Sequence, residues 1–183
     1  MLSVRELQDI IHRFDAESNA QAISNRKRAL ELLEQGERSL ERKNFSPGHF
    51  TASGIVLSAE RGHVLLVYHR RLGKWLQPGG HIEPKDPDSW KAAAREVVEE
   101  TGVEPSSKVE PVLVCIDVHE IPASGGEPAH QHFDLAWRFV ASAAGVQVAM
   151  DPHRAVWCLI DELESYQADM PLRRAVERAL RTR

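Results

Sequence analysis

The segment Gly79–Val103, GGHIEPKDPDSWKAAAREVVEETGV, constrains the fold of this chain more than any other part of its sequence. Asp88 or Ser89 is placed to cap a helix from Trp90 to about Thr101, and Gly102 is placed to end that helix. The residues before it are rich in turn formers, which predicts a loop (Gly79, Gly80, Pro84, Pro87). One stripe of the helix is mostly apolar and is predicted to face the core (Trp90, Ala93, Ala94, Val97, Thr101).

Three glutamates occupy the opposite face of this predicted helix. Glu96, Glu99 and Glu100 are spaced at i, i+3 and i+4, so their carboxylates lie side by side and repel one another. One interpretation is a solvent-exposed acidic face in which Arg95 pairs with Glu99. The other is a site for a hard divalent cation, because Mg²⁺ and Mn²⁺ prefer oxygen ligands. The glycine loop would bring backbone groups to the same ions.

This segment resembles the signature of the Nudix hydrolases, G-x5-E-x7-R-E-U-x-E-E-x-G-U, in which U is aliphatic. Gly80 matches the first glycine, and the run from Arg95 to Val103 matches the second half without exception. The spacing between the two halves is one residue longer than the signature. The first acid therefore falls on Asp86, or on Asp88 if the extra residue lies earlier in the loop. We expect a Nudix box at Gly80–Val103.

The resemblance implies a fold, an activity and a set of site residues. The expected fold is α/β, an α/β/α sandwich with a mixed central sheet. The implied metal ligands are the three acids and the Gly80 carbonyl, which would hold Mg²⁺ or Mn²⁺ (Glu96, Glu99, Glu100). Arg95 would orient the acids, so the catalytic roles fall on Arg95, Glu96 and Glu99. The general base would be one of the three acids or a residue of a later loop.

Three functions are compatible with the box. The favoured one is metal-dependent cleavage of a nucleoside diphosphate linked to another moiety, X, such as ADP-ribose, a nucleotide sugar or a dinucleotide, which gives a nucleoside monophosphate and phosphate-X. A second is a nucleoside triphosphate pyrophosphohydrolase that cleans the nucleotide pool. A third is a non-catalytic nucleotide-sensing module, although clustered acids argue against it. The fold-related isopentenyl diphosphate isomerases do not normally show the full motif.

Composition excludes several other classes. A net charge of −4 over 183 residues gives no basic footprint, so stable nucleic-acid binding is not expected. No apolar run is long enough to span a membrane, and the first residues do not match a signal or transit peptide. Cys115 and Cys158 lie in apolar runs, which favours two reduced thiols in a cytoplasmic protein over a disulfide.

The first part of the chain is predicted to be an appendage of the domain. Residues 1–46 are highly charged and helical in pattern, and a Ser-Pro-Gly breaker separates them from a Nudix domain at 47–183. Ser3 and Glu6 fit a capping box for a first helix, and a second helix starts at about Ser18. Because such helices are unstable alone, they are expected to dock on the domain or on a second subunit, so a homodimer is possible.

The rest of the chain alternates strands and helices around the box. This order of elements, with the helix of the box between the earlier and the later strands, predicts an α/β domain with a mixed sheet. Strands are predicted at 50–58, 63–69, 111–118, 132–140 and 155–160, followed by helices from about 161 and from Pro171.

Two groups other than the acids of the box are candidates for contacts with the substrate. Arg70 and Lys74 belong to a basic turn and would steer a polyphosphate. The second group consists of histidines near the glycines and in a later loop and strand, which would form a substrate, metal or acid–base cluster (His81, His119, His130, His132). The alternative for these histidines is a surface or hydrogen-bonding role, because alternate strand residues merely share a face. No cysteine lies nearby to complete a zinc site.

Overall fold

The computed structural model describes residues 2–17, 19–142 and 155–182. These residues form four α-helices: α1 Val4–Arg13, α2 Ala20–Leu33, α3 Ser89–Thr101 and α4 Met170–Arg181. The strands are β1 Gly48–Ser58, β2 His63–His69, β3 Lys74–Leu76, β4 Gly79–His81, β5 Val112–Ile121, β6 His130–Ala141 and β7 Ala155–Leu159. Two short 3₁₀ helices cover Gly36–Leu40 and Ile160–Glu162.

Strand β1 is the centre of a mixed sheet. It pairs in parallel with β6 along its whole length and antiparallel with β2 and β4. Strands β3 and β7 extend the sheet from β2, and β5 extends it from β6, all antiparallel. This mixed sheet with its helices confirms the predicted α/β architecture.

The two faces of β1 belong to two different cores. Phe50, Ala52 and Val56 are buried in one cluster with apolar residues of α1, α2 and α3. Ile55 and Leu57, which alternate with them, are buried in a second cluster with residues of α4. Because successive strand residues point to opposite faces, the sheet lies between α1, α2 and α3 on one side and α4 on the other.

The N-terminal helices are part of the first core. The capping box of α1 is present as predicted, and Leu7 and Ile11 of α1 are fully buried. The side-chain amide of Asn25 on α2 donates a 3.0 Å hydrogen bond to the carbonyl of Ile116 on β5. The helices therefore dock on the sheet of their own chain. The division into an extension and a domain after residue 46 stays a prediction.

Some local predictions differ from the observed elements. The predicted loop at the two glycines contains β4, a short strand paired with β1, because a residue without a side chain can lie close to a neighbouring backbone. The helix predicted from about residue 161 is only the 3₁₀ turn Ile160–Glu162. Helix α3 has the predicted position, and Gly102 ends it with a left-handed φ of 69°. Cys115 and Cys158 are free thiols.

None of the helices within the described residues is both long and apolar enough to cross a lipid bilayer.

Candidate active site

The acids of α3 lie against β4. A Cβ built on Gly80 would lie 2.6 Å from the Glu96 Cδ and 2.7 Å from both of its carboxylate oxygens, so only glycine lets this carboxylate approach the strand. Glu100 Oε2 accepts a 3.0 Å hydrogen bond from the Gly79 amide. Glu99 projects outward, and its side chain is 54% exposed. The three acids thus surround the start of the Nudix box.

Arg95 joins this helix to the preceding loop. Its guanidinium binds both carboxylate oxygens of Asp86, at 3.2 and 2.9 Å, and donates to the His81 carbonyl at 2.9 Å. The same group binds Glu96 at 2.8 Å and Glu99 at 2.9 Å. The predicted pair of Arg95 with Glu99 is therefore present as one contact of a larger network.

These contacts indicate which acid of the loop corresponds to the first acidic position of the box. Of the two acids considered for the first acidic position of the box, Asp86 is buried and contacts Arg95. Asp88 instead occupies the N-cap of α3, where its side chain makes no capping hydrogen bond. Burial favours the neutral form of Asp86, but the hydrogen bonds from Arg95 and from the Glu83 amide outweigh it and lower the pKa of Asp86.

The donor set suits a hard divalent cation. Burial raises the pKa of Glu96, and the repulsion of Glu99 adds to this, although the hydrogen bond from Arg95 acts in the other direction. A bound cation would relieve both unfavourable effects. Carboxylate oxygens and a backbone carbonyl are the ligands that Mg²⁺ and Mn²⁺ prefer. Because Glu96 is largely buried, the cluster is not simply a solvated helix face.

A second polar group, the histidine cluster, lies on the opposite face of the sheet. Gly80 faces Glu96, so the next residue of β4, His81, directs its side chain to the other side. Strand register brings the remaining members together, since His49 of β1 pairs with His132 of β6, which pairs with His119 of β5. The members of the cluster are His49, His81, His119, His130 and His132.

The rings of the cluster pack closely. The His49 ring centroid lies 5.2 Å from that of His81, 4.9 Å from His132 and 5.2 Å from His130. Burial, with smaller contributions from the charge of Arg42 and from neighbouring histidines, lowers the pKa of His81 to about 4. Burial and the neighbouring histidines lower the pKa of His132 to about 2. These imidazoles are therefore neutral at pH 7 and keep a lone pair on one ring nitrogen.

Buried hydroxyls and a carboxylate continue this polar face. Asp134 accepts hydrogen bonds from Thr51 Oγ1 at 3.0 Å and Ser53 Oγ at 2.5 Å, and burial raises its pKa. At the edge, His119 Nδ1 lies 2.9 Å from Asp117 Oδ2. Burial lowers the pKa of His119, but this hydrogen bond and the negative charges of Asp134 and Asp117 together outweigh it, and the net shift is upward.

His49 was not among the predicted site residues. It is 1% exposed and lies in the middle of the cluster, yet it stands 32 residues before His81 and carries no local motif. Only the parallel pairing of β1 with β6 brings it opposite His132. His49 could have been predicted as a site residue only if the pairing of these two strands had been known.

The basic turn precedes β3, the strand at one end of the sheet order. Arg70 and Lys74 are exposed, in the turn before β3 and at its first residue. Arg71 Nη1 lies 3.4 Å from Ser124 Oγ, which connects this turn to the loop between β5 and β6. Arg42 pairs with Glu127 of the same loop at 3.7 Å.

Comparisons with known proteins identify the fold. The sequence profile of the NUDIX domain matches residues 48–179. The NUDIX domain of Shewanella oneidensis NrtR, complexed with ADP ribose, is 18% identical with a TM-score of 0.54, over 72% of this chain and 85% of that one. The mMutator MutT protein of Bacillus halodurans is 21% identical with a TM-score of 0.52, over 73% and 82%.

A NUDIX-family hydrolase from Clostridium perfringens is 23% identical with a TM-score of 0.51, over 72% of this chain and 95% of that one. At such identities the likeness to solved structures concerns the fold. A search of curated proteins gives no match. The family profile covers most of the chain and includes the acidic helix, the paired glycines and Arg95. The chain belongs to the Nudix hydrolase family.

Proposed function

We propose that this chain cleaves the phosphoanhydride of a nucleoside diphosphate linked to another moiety, X, and releases a nucleoside monophosphate and phosphate-X. The observation that carries the proposal is the packing of the Glu96 carboxylate against Gly80, with Glu99 beside it and exposed to solvent. Glu96, Glu99 and Glu100, with the Gly80 carbonyl, would hold Mg²⁺ or Mn²⁺. Such an ion supplies positive charge that offsets the charge of the anhydride and activates water.

Arg95 is a positioning residue in this proposal. Its hydrogen bonds to Glu96 and Glu99 fix the spacing between the two carboxylates, and its bonds to Asp86 fix the guanidinium itself. The hydrogen bonds to Asp86, and then those to Glu96, raise the pKa of Arg95, so it stays charged and reduces the repulsion between the acids. The acids are thereby held close together without a bound substrate.

Glu99 is the acid we assign as the proton acceptor. Both Glu96 and Glu99 bind Arg95, but Glu96 is largely buried, whereas more than half of the Glu99 side chain is open to solvent, from which water would attack. A carboxylate within reach of the attacking water can take up its proton.

Phosphate groups of the substrate would meet positive charge from the basic turn. Arg70 and Lys74 are exposed and lie in a turn that also contains Arg71, so their positive charges would attract a polyphosphate. The three histidines predicted to bind substrate face away from Glu96 (His81, His130, His132). We therefore keep only Arg70 and Lys74 as proposed phosphate contacts.

The proposal is tested by a phosphate-release screen with Mg²⁺ or Mn²⁺ and an added phosphatase that reveals monoester products. The panel contains ADP-ribose, nucleotide sugars, diadenosine polyphosphates, NADH and the nucleoside triphosphates. ADP-ribose comes first because the NUDIX domain of NrtR was crystallised with it. Release of a nucleoside monophosphate from a diphosphate derivative is expected, whereas turnover of triphosphates alone would favour the pool-cleaning function.

A double variant separates turnover from binding. Glu99→Gln with Glu100→Gln removes two carboxylate charges, and the rate is expected to fall by about 10²–10⁴-fold while the fold is kept. Glu104→Gln is the matched control, because Glu104 is an exposed acid just beyond α3. An unchanged rate in the double variant would contradict the proposal, and so would ligand binding by the wild type without any turnover.

A further inference from the structure

The histidine cluster contains potential metal ligands that the proposed hydrolysis does not use. Its rings lie on the sheet face opposite Glu96. The ring centroids are 5.2 Å apart for His49 and His81, 4.9 Å for His49 and His132, and 5.2 Å for His130 and His132. Stacking of neutral rings explains their proximity but not the direction of their ring nitrogens. Those nitrogens converge, which a purely apolar packing of rings does not require.

We propose that His49, His81 and His132 bind one divalent transition-metal ion, with zinc as the best fit, at a site separate from the acids of α3. One ligand atom from each of the three residues lies within 4.8 Å of the other two. Two nitrogens on one tetrahedral zinc lie about 3.3 Å apart, given Zn–N bonds of about 2.0–2.1 Å. His81 and His132 are only half buried, so rotation of these two rings can bring the three nitrogens to that spacing.

His49 is already oriented as a ligand. Its Nδ1 lies 3.1 Å from the backbone oxygen of Asn44 and must donate to it, so Nε2 carries the lone pair. His49 is 1% exposed, and Nε2 is buried without a hydrogen-bond partner among the described residues. A buried acceptor without a partner is costly, and coordination of a cation would satisfy it. A hydrogen bond from the other ring nitrogen to a backbone carbonyl is the usual outer contact of a metal-bound histidine.

His130 supports the same site from the side. Its Nδ1 donates to the Pro128 carbonyl at 2.8 Å, so its Nε2 carries the lone pair and accepts a hydrogen bond from His132. That atom lies 3.3 Å from Nε2 of His132, the spacing of neighbouring ligands on a tetrahedral ion. We therefore assign His130 as the candidate for a fourth ligand, and water would otherwise take that position.

The chemistry of the ligands separates the two sites. Imidazole nitrogen suits zinc, copper, nickel and iron, whereas the carboxylates of α3 suit Mg²⁺ and Mn²⁺. Asp134, two residues from His132 on the same face of β6, is buried and interacts electrostatically with His119 of the cluster. The absence of cysteine near these histidines, which spoke against zinc in the sequence, is offset by the added ligand His49.

The test is zinc binding to untagged, chelator-stripped full-length protein, measured by titration and by metal analysis after gel filtration. The wild type is expected to retain one zinc per chain. His49→Gln and His132→Gln should each weaken binding by about 100-fold or more, because each removes a direct ligand. His12→Gln is the matched control, since His12 is exposed on α1. The Glu99→Gln, Glu100→Gln double variant should bind zinc like the wild type, whether or not the protein is a hydrolase.

Two further readouts guard against misfolding of the variants. The half-buried His132 can be replaced with less disturbance than His49, and the rise in melting temperature with added zinc should be lost in His132→Gln although its metal-free melting temperature is kept. Co²⁺ should give the visible absorption of a tetrahedral site in the wild type alone. Equal zinc binding by the wild type and His132→Gln, no binding by either, or loss only in the glutamate variant would overturn the proposal.

Discussion

The acidic cluster of α3 and the histidine cluster lie on opposite faces of the same strand, β4, and are held together by different forces. The acids are charged, and the permanent cation of Arg95 binds two of them and also Asp86. The histidines are held by ring packing and by hydrogen bonds to backbone carbonyls. An ion network depends on its charges and on pH, whereas packed rings depend on strand register. Substitutions can therefore test separately whether charge or strand register holds each cluster together.

The largest effect on stability is expected for a substitution of Gly79 in β4. A Cβ on Gly79 would lie 2.8 Å from Ser53 Cα and 2.9 Å from the Ala52 carbonyl oxygen, so Gly79→Ala must break the pairing with β1. We expect a loss of about 3 kcal/mol or more in the free energy of unfolding, measured by urea denaturation. Strand register also holds the histidines, so zinc binding should fall with it.

Gly80→Ala is the matched comparison. The three atoms nearest to its Cβ would all belong to the movable carboxylate of Glu96, so the free energy of unfolding should change by less than about 1 kcal/mol. Displacing that carboxylate by about an ångström should lower the hydrolysis rate by roughly 100-fold, measured with the best substrate of the panel. If Gly79→Ala is as stable as Gly80→Ala, the described packing of β4 on β1 is wrong.

A smaller effect is expected from Asp86→Asn, which removes the buried partner of Arg95. Because Arg95 keeps its contacts with Glu96, Glu99 and the His81 carbonyl, we expect a loss of about 2 kcal/mol rather than the full cost of an isolated buried charge. Asp88→Asn is the control, with a change within about 0.5 kcal/mol, since Asp88 makes no side-chain capping bond. Equal effects of the two variants would contradict the assignment of Asp86 as the partner.

The same ion pair should make the stability depend on pH. The pKa of Asp86 is lowered in the folded state, so its contribution is present above the pKa of the unfolded chain, about 3.9, and is lost as the pH falls through the lower folded value. The difference in free energy of unfolding between wild type and Asp86→Asn should therefore be constant near pH 7 and shrink below about pH 4. Urea titrations over this range measure it, and a difference that grows on acidification would refute the assignment.

The smallest effect is expected far from both clusters. Ser3 caps α1 through the Glu6 amide at 3.3 Å, and Ser3→Ala should cost about 1 kcal/mol or less in stability. Neither hydrolysis nor zinc binding should change, because the contact is confined to one helix turn. The exposed Ser107→Ala is the control. A change in either activity would mean that α1 affects the clusters through the shared core.

The contrast between the two clusters also explains which site residues could be predicted. Glu96, Glu99 and Glu100 were identified because a single helix turn fixes their relation, whatever the rest of the fold does. The capping box at Ser3 and the helix stop at Gly102 were predictable for the same reason. The β4 strand was taken for a loop because its two glycines have a low strand propensity, and its pairing with β1 is a tertiary contact.

The sequence by itself determined the family, the mixed α/β class and the acids of α3, since each depends on neighbours a few residues apart. Only the tertiary structure decided that Asp86, and not Asp88, binds Arg95, and that the N-terminal helices pack on the sheet of their own chain. It also brought His49 opposite His132, across 83 residues, through the parallel register of β1 and β6. Strand register is set by the burial of whole faces and not by any local motif, so a ligand set spread over several strands leaves no short pattern in the sequence.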